Sequence, residues 1–103
     1  MEKRFFRRLN IEGGTSVLTK DGFFAGMLEN ICMGGLFLRT NKGMEVGSTL
    51  EVNVPLTGTS TNITIAASVV AVRIENNGIA FQFDNLDNKN FWALLSVINQ
   101  ANA

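Results

Sequence analysis

Residues 63–74 read Ile63-Thr64-Ile65-Ala66-Ala67-Ser68-Val69-Val70-Ala71-Val72-Arg73-Ile74, and this stretch decides the fold. It is dense in β-branched side chains, which are stiff at χ1 and pack well on a pleated surface, so it reads as one long strand. Asn76-Asn77-Gly78 then turns the chain into Ile79-Ala80-Phe81-Gln82-Phe83, where Ile79, Phe81 and Phe83 share a face. On the other side lies a polar loop at 57–62. Before that loop, Leu50, Val52, Val54 and Leu56 alternate with Glu51, Asn53 and Pro55, the period of a half-buried strand. Pro55 has no N–H to give a ladder, so this strand is expected to end there or to lie at an edge. Further back, Asn41-Lys42-Gly43 ends the apolar run Leu36-Phe37-Leu38, and Asp21-Gly22 separates segments 15–20 and 23–28 as a hairpin turn. The count is about six strands joined by hairpins, which favours a small antiparallel barrel or sandwich.

The period changes near the end of the chain. Phe91, Leu94, Leu95 and Ile98 fall at helical spacing, and Asp87 or Asn88 is placed to cap the start. The spacing predicts a helix over 87–100 that lays this stripe on one opening of the barrel, with Trp92 at its margin. With 103 residues there is room for one domain and a thin core, and an apolar content of 46% is enough to fold. The expected organisation is one domain over 1–103, made of a flexible basic arm (1–10), a β-barrel (11–86) and the helix.

Net charge is zero but unevenly placed. Lys3, Arg4, Arg7 and Arg8 crowd the first eight positions with only Glu2 against them. From Leu9 onward the acidic residues outnumber the basic ones, eight to five. A mildly acidic body argues against broad DNA or RNA binding, which needs an extended basic face. One cysteine excludes an internal disulfide, and the lack of histidine excludes the usual zinc sets, so neither metal nor cofactor is expected. Cys32 has no histidine to serve as its base, the acids are scattered singly, and no serine sits in a nucleophile elbow. The chain therefore does not read as an enzyme. No apolar run follows the basic start as in a signal peptide, and none is long enough to cross a bilayer. The expectation is a cytoplasmic protein without membrane insertion, of open oligomeric state.

Two motifs carry what chemistry there is. Arginine presents a planar fork that matches the O6 and N7 of guanine or two phosphate oxygens. Arg4 and Arg8, four apart with Arg7 beside them, can grip a guanine nucleotide; the bland alternative is a solvated tail. Phe5 and Phe6 weigh against a pure solubility tail: they suit docking of the arm on the barrel first, and stacking near a base second. The second motif is Asn30-Ile31-Cys32-Met33-Gly34-Gly35. Asn30 offers a donor and an acceptor to a base edge or a phosphate. Gly34 and Gly35 permit close approach of a ligand to backbone amides, or else simply shape a turn or a bulge.

In this order and spacing, the two motifs resemble those of the PilZ domain, a bacterial receptor module for the second messenger cyclic di-GMP. The family pairs an RxxxR arm with a (D/N)xSxxG strand motif some twenty or more residues later. Arg4-Phe5-Phe6-Arg7-Arg8 is similar to the first element and 30–35 to the second, at five of its six positions. Gly35-Leu36-Phe37-Leu38, Val46-Gly47-Ser48-Thr49-Leu50 and Gly78-Ile79-Ala80-Phe81-Gln82-Phe83 also resemble the family's later segments.

The resemblance implies a six-stranded antiparallel β-barrel with a C-terminal α-helix packed against it. It implies that Arg4 and Arg8 contact guanine and phosphate of cyclic di-GMP, with Arg7 as a third contact. Lys3 and Arg7 also stand four apart, so the register is not unique. Asn30, Cys32 and Gly35 would form the strand side of the site. Cys32 departs from the family's serine. A thiol is a weaker donor, and a neutral hydrogen bond of this kind is worth roughly 0.5–1.5 kcal/mol, up to about tenfold in affinity. The implied mechanism is a disorder-to-order change in which the ligand folds the arm over the barrel and creates a surface for a separate, unidentified partner protein. Two alternatives remain: an interaction module that keeps the fold but no longer binds cyclic di-GMP, and a small oligonucleotide-binding barrel. The second would need cations and aromatics spread over a sheet face.

Overall fold

The computed structural model describes residues 9–10, 16–19, 25–41, 43–57 and 62–101. In them the chain forms β1 (Leu9–Asn10), β2 (Ser16–Thr19), β3 (Ala25–Ile31), β4 (Gly35–Arg39), β5 (Thr49–Thr57), β6 (Asn62–Glu75), β7 (Gly78–Asn85) and α1 (Asn88–Ala101). Every strand pairing is antiparallel. The all-β expectation with one C-terminal helix therefore holds. The count differs from six, since the described residues hold seven strands, one of only two residues.

The sheet runs β1-β3-β2-β5-β6-β7-β4, and a further β3–β4 pairing brings its far end back to β3. This curl encloses the core. The alternation at 50–56 is realised in β5, where Val52, Val54 and Leu56 are buried while Glu51, Asn53 and Pro55 are exposed. They meet Ile65, Val69 and Ala71 of β6, Ile79 and Phe81 of β7, and Leu36 and Leu38 of β4 in one apolar cluster. Pro55 does not end its strand, for β5 continues to Thr57 with Pro55 opposite Thr64. Among the described residues β2 flanks β5 only at Val52 and Asn53, which leaves Pro55 a strand neighbour on one side.

The helix begins at a local cap. Asn90 N donates to Asp87 Oδ1 (2.9 Å), and Phe91 N donates to the Asp87 carbonyl (2.8 Å), so Asp87 is the capping residue. The buried stripe is Leu94, Val97 and Ile98, worth about 1.5–3 kcal/mol for each side chain fully buried. The expected stripe thus needs correction: Phe91 is 37% exposed, Leu95 is half-buried, and Val97 takes the inner place. The reason is Asn90, which stands one turn before Leu94 on the inner face. Its Oδ1 accepts a hydrogen bond from Ala66 N of β6 (3.0 Å), which pins the helix by a polar residue that hydropathy ignores. Trp92, 62% exposed, lies edge-to-face on Phe91 at 5.3 Å, outside the core. No helix among the described residues is long and apolar enough to cross a membrane.

The cap makes a pH prediction. The Asn90 backbone N–H, then its side-chain amide, hold the Asp87 carboxyl below its ordinary value of 3.8. A carboxyl held low in the folded state stabilises fully above its unfolded pKa, and that contribution is lost as pH falls through the folded value. Asp87→Asn keeps a capping oxygen but cannot titrate. Followed by helical circular dichroism between roughly pH 4 and pH 2, wild type should lose more stability than Asp87→Asn. Parallel acid curves for the two proteins would remove the cap from the account.

Candidate functional site

Strict alternation fails in β3, and that failure builds the site. Leu28 and Ile31 are both fully buried (0% exposed) although three residues apart, which a regular strand forbids. Leu28 stands opposite Leu38 and Asn30 opposite the adjacent Phe37, so Glu29 is an inserted residue and the strand is bulged. Two consecutive side chains, Glu29 and Asn30, are thereby kept off the core. A second bulge does the same in β6. Ala71 stands opposite Phe81 and Arg73 opposite Ala80, so Val72 is inserted, and Val72 and Arg73 are both exposed beside a buried Ala71.

The two bulges lie on the strands that flank the β4–β7 pair, and both open onto one groove of about 680 Å³. Gly35, Leu36 and Phe37 of β4 and Ala80, Phe81 and Gln82 of β7 line it between them. Cys32 and Gly34 line the end nearest Gln82, and Glu75 and Asn77 the opposite end.

The β3–β4 turn is fixed at three points. Cys32 N donates to the Gly35 carbonyl (2.8 Å) across Met33-Gly34, and Phe83 N donates to the Gly34 carbonyl (3.0 Å), which ties the turn to β7. Met33 packs on the core. Gly35 is required by its neighbour strand, because a Cβ there would lie 2.0 Å from the Phe81 carbonyl oxygen. The far end of the β4–β7 pair repeats the constraint at Gly78, whose Cβ would lie 2.2 Å from the Leu38 carbonyl oxygen.

Charge in the groove is mixed. Its lining carries the carboxylates of Glu29 and Glu75 and, among the described residues, one cation, Arg73. Arg39 lies 3.7 Å from Glu29, and Arg73 Nε donates to Glu75 Oε2 along the same strand.

Of the residues singled out from sequence, Asn30, Cys32 and Gly35 come together on this groove, and the thiol is half-buried at its rim. Arg4, Arg7 and Arg8, with the turn at Asp21-Gly22, lie outside the described residues. Sequence reasoning passed over Glu29, Phe37, Val72, Arg73, Glu75, Asn77 and Gln82. The signal for Glu29 was present, since Leu28 and Ile31 break period two, but it shows only once the core is known. A second hollow, of about 310 Å³ and lined by Glu51, Asn53, Ser68 and Asp87 among others, holds none of the motif residues that lie among the described ones.

A family model described as PilZ domain matches residues 2–100. Among solved structures, the chain is similar to the Bacillus subtilis inhibitor of motility (MotI/DgrA), with a TM-score of 0.83 at 16% identity. That match covers 99% of this chain and 52% of the other, so this chain spans about half its length. It is also similar to the PilZ domain of Escherichia coli YcgR, solved with c-di-GMP (TM-score 0.74, 15% identity, 98% of this chain and 92% of that one). A third likeness is to the PilZ domain of CeSA from a cellulose-synthesizing bacterium (TM-score 0.67, 13% identity, 94% and 99%). At these identities the structural likeness speaks for the fold. No curated protein shows significant sequence similarity to the chain.

Proposed function

The chain belongs to the PilZ domain family, and from that premise we propose that it is a non-enzymatic cytoplasmic receptor for cyclic di-GMP. The single observation that carries this reading is the meeting of Asn30, Cys32 and Gly35 on one groove, whose size falls within the usual range for small-molecule sites. We read the ring of pairings from β2 to β7 as the six-stranded barrel of the family, with β1 added beside β3. The YcgR domain solved with c-di-GMP supports the choice of ligand.

In this reading Asn30 hydrogen-bonds a guanine edge or a phosphate from the β3 bulge, and the turn at Gly34-Gly35 lets the ligand approach backbone. The described lining carries two carboxylates against one cation, so it does not by itself attract a dianion. The missing positive charge comes from Arg4 and Arg8, with Arg7 as a third contact, drawn over the groove by the ligand's phosphates. Binding thus changes the surface, and a partner protein reads the change. The chain acts as a receptor and adaptor.

The experiment is titration of cyclic di-GMP into 15N-labelled protein. Amide shifts should concentrate at residues 4–8, 29–37 and 72–82. Shifts confined to the hollow beside Asp87, or spread evenly, would remove the groove from the reading. Cys32→Ser restores the stronger donor and should tighten binding by up to about tenfold. An unchanged or weaker affinity would take position 32 out of the set of ligand contacts.

A further inference from the structure

The groove contains a contact that the receptor reading does not use. Arg73 and Glu75 stand two apart on β6, on one face, and Arg73 Nε donates to Glu75 Oε2. Both side chains are open to solvent, 61% and 41% exposed, and both line the groove that holds Asn30 and Cys32. The Val72 bulge is what turns Arg73 outward. We propose that Glu75 is an internal competitor of the anionic ligand: it occupies the guanidinium of Arg73, which the ligand takes over on binding, and so sets the affinity of the site. This rests on the cyclic di-GMP reading and adds two residues to it.

Three observations carry the inference. Arg73 is the one cation among the described lining residues, so within that lining it is the positive group that an entering phosphate or guanine edge meets. The two carboxylates of the lining are not equivalent. Glu29 is offset by Arg39, which lies outside the lining and need not be released. Glu75 is offset by Arg73, the residue an anion would recruit. Lastly, exposed ion pairs are weak, so the exchange is cheap in either direction and a ligand with two phosphates can win it. A planar guanidinium with five donors is suited to change partner without moving its backbone.

The test is calorimetry of cyclic di-GMP with wild type, Glu75→Gln, Arg73→Ala and the double variant, each checked by thermal melting. Glu75→Gln keeps the size of the side chain and should tighten binding about threefold to fivefold, the most an exposed ion pair withholds. Arg73→Ala should weaken binding by about tenfold or more, as loss of a charge-assisted contact does. In the Arg73→Ala background, Glu75→Gln should gain less than about twofold, because only screened repulsion remains to be relieved. The Arg73 Nε–H resonance should shift on ligand addition, which a purely structural pair would not show. Equal or weaker binding by Glu75→Gln, in the presence of measurable wild-type binding, overturns this proposal and leaves the receptor reading intact. Absence of wild-type binding overturns the receptor reading, and this proposal with it.

Discussion

Gly35→Ala will destabilise the protein by about 3 kcal/mol or more, at the upper end of overpacking substitutions. For a domain of this size that lowers the melting temperature by on the order of 15 °C. The cause is the distance of 2.0 Å from a Cβ at this position to the Phe81 carbonyl oxygen, with Gln82 Cα and the Phe81 carbonyl carbon at 3.0 Å. All three are backbone atoms of β7, so no side chain can swing aside. The strand itself must move, and it is held there by Phe83 N on the Gly34 carbonyl and by the register from Gly35–Gln82 to Arg39–Gly78. Gly43→Ala is the control, because a Cβ at Gly43 meets nothing within 4 Å, and its melting temperature should match wild type. A Gly35→Ala protein that melts within about 3 °C of wild type would show that β4 and β7 are not packed this closely.

The result matters for reading the site. Gly35 was singled out from sequence for closeness to a ligand, and the structure gives it a second reason that needs no ligand. Lost binding in Gly35→Ala would therefore not count as evidence of contact. Asn30 and Arg73 are better probes, since each is set outward by a bulge and its removal leaves no clash.

These bulges also show how far the sequence could be read. The long strand at 63–74 appears as β6, the alternation at 50–56 as β5, and the turn at Asn76-Asn77 separates β6 from β7. Local periodicity sufficed there, because each strand has one face in the core. The inserted residues Glu29 and Val72 were not legible before the core was known, because a bulge is fixed by the partner strand's register. With them the outer wall of the groove was missed, Arg73 and Glu75 included. The inner face of the helix was misjudged at Phe91, Leu95 and Val97 for a related reason. Asn90 holds that face through Ala66 N, a long-range bond that no helical periodicity reports. Asn30, Cys32 and Gly35 were found because they follow one another closely in the chain. Residues that join the site from β6, forty positions on, carry no such signature.

Arg4→Ala/Arg8→Ala will weaken cyclic di-GMP binding on the order of a hundredfold or more, while the melting temperature of the free protein stays near that of wild type. Each arginine is taken to make a charge-assisted, forked contact, and each such contact is worth roughly 1.5–3 kcal/mol. The described groove supports so large a dependence on the arm, because Glu29 and Glu75 outnumber Arg73 in its lining. Two phosphates entering that lining need positive charge from elsewhere. The effect should shrink as salt rises, since charges at the protein surface are screened over roughly 10 Å at 0.1 M ionic strength. Lys89→Ala removes a charge from the first turn of α1, away from the groove, and should leave affinity unchanged. A double variant that binds within about threefold of wild type would place the ligand's charge partners elsewhere, since even one charge-assisted contact is worth more.

Titration calorimetry of cyclic di-GMP into the wild-type protein tests the central claim most directly. The account predicts micromolar or tighter binding, lost in Arg4→Ala/Arg8→Ala. No heat from wild type, at protein concentrations high enough to register weak binding, would contradict it. The chain would then be a PilZ-type interaction module without the nucleotide, with Cys32→Ser as the first variant to test for recovery.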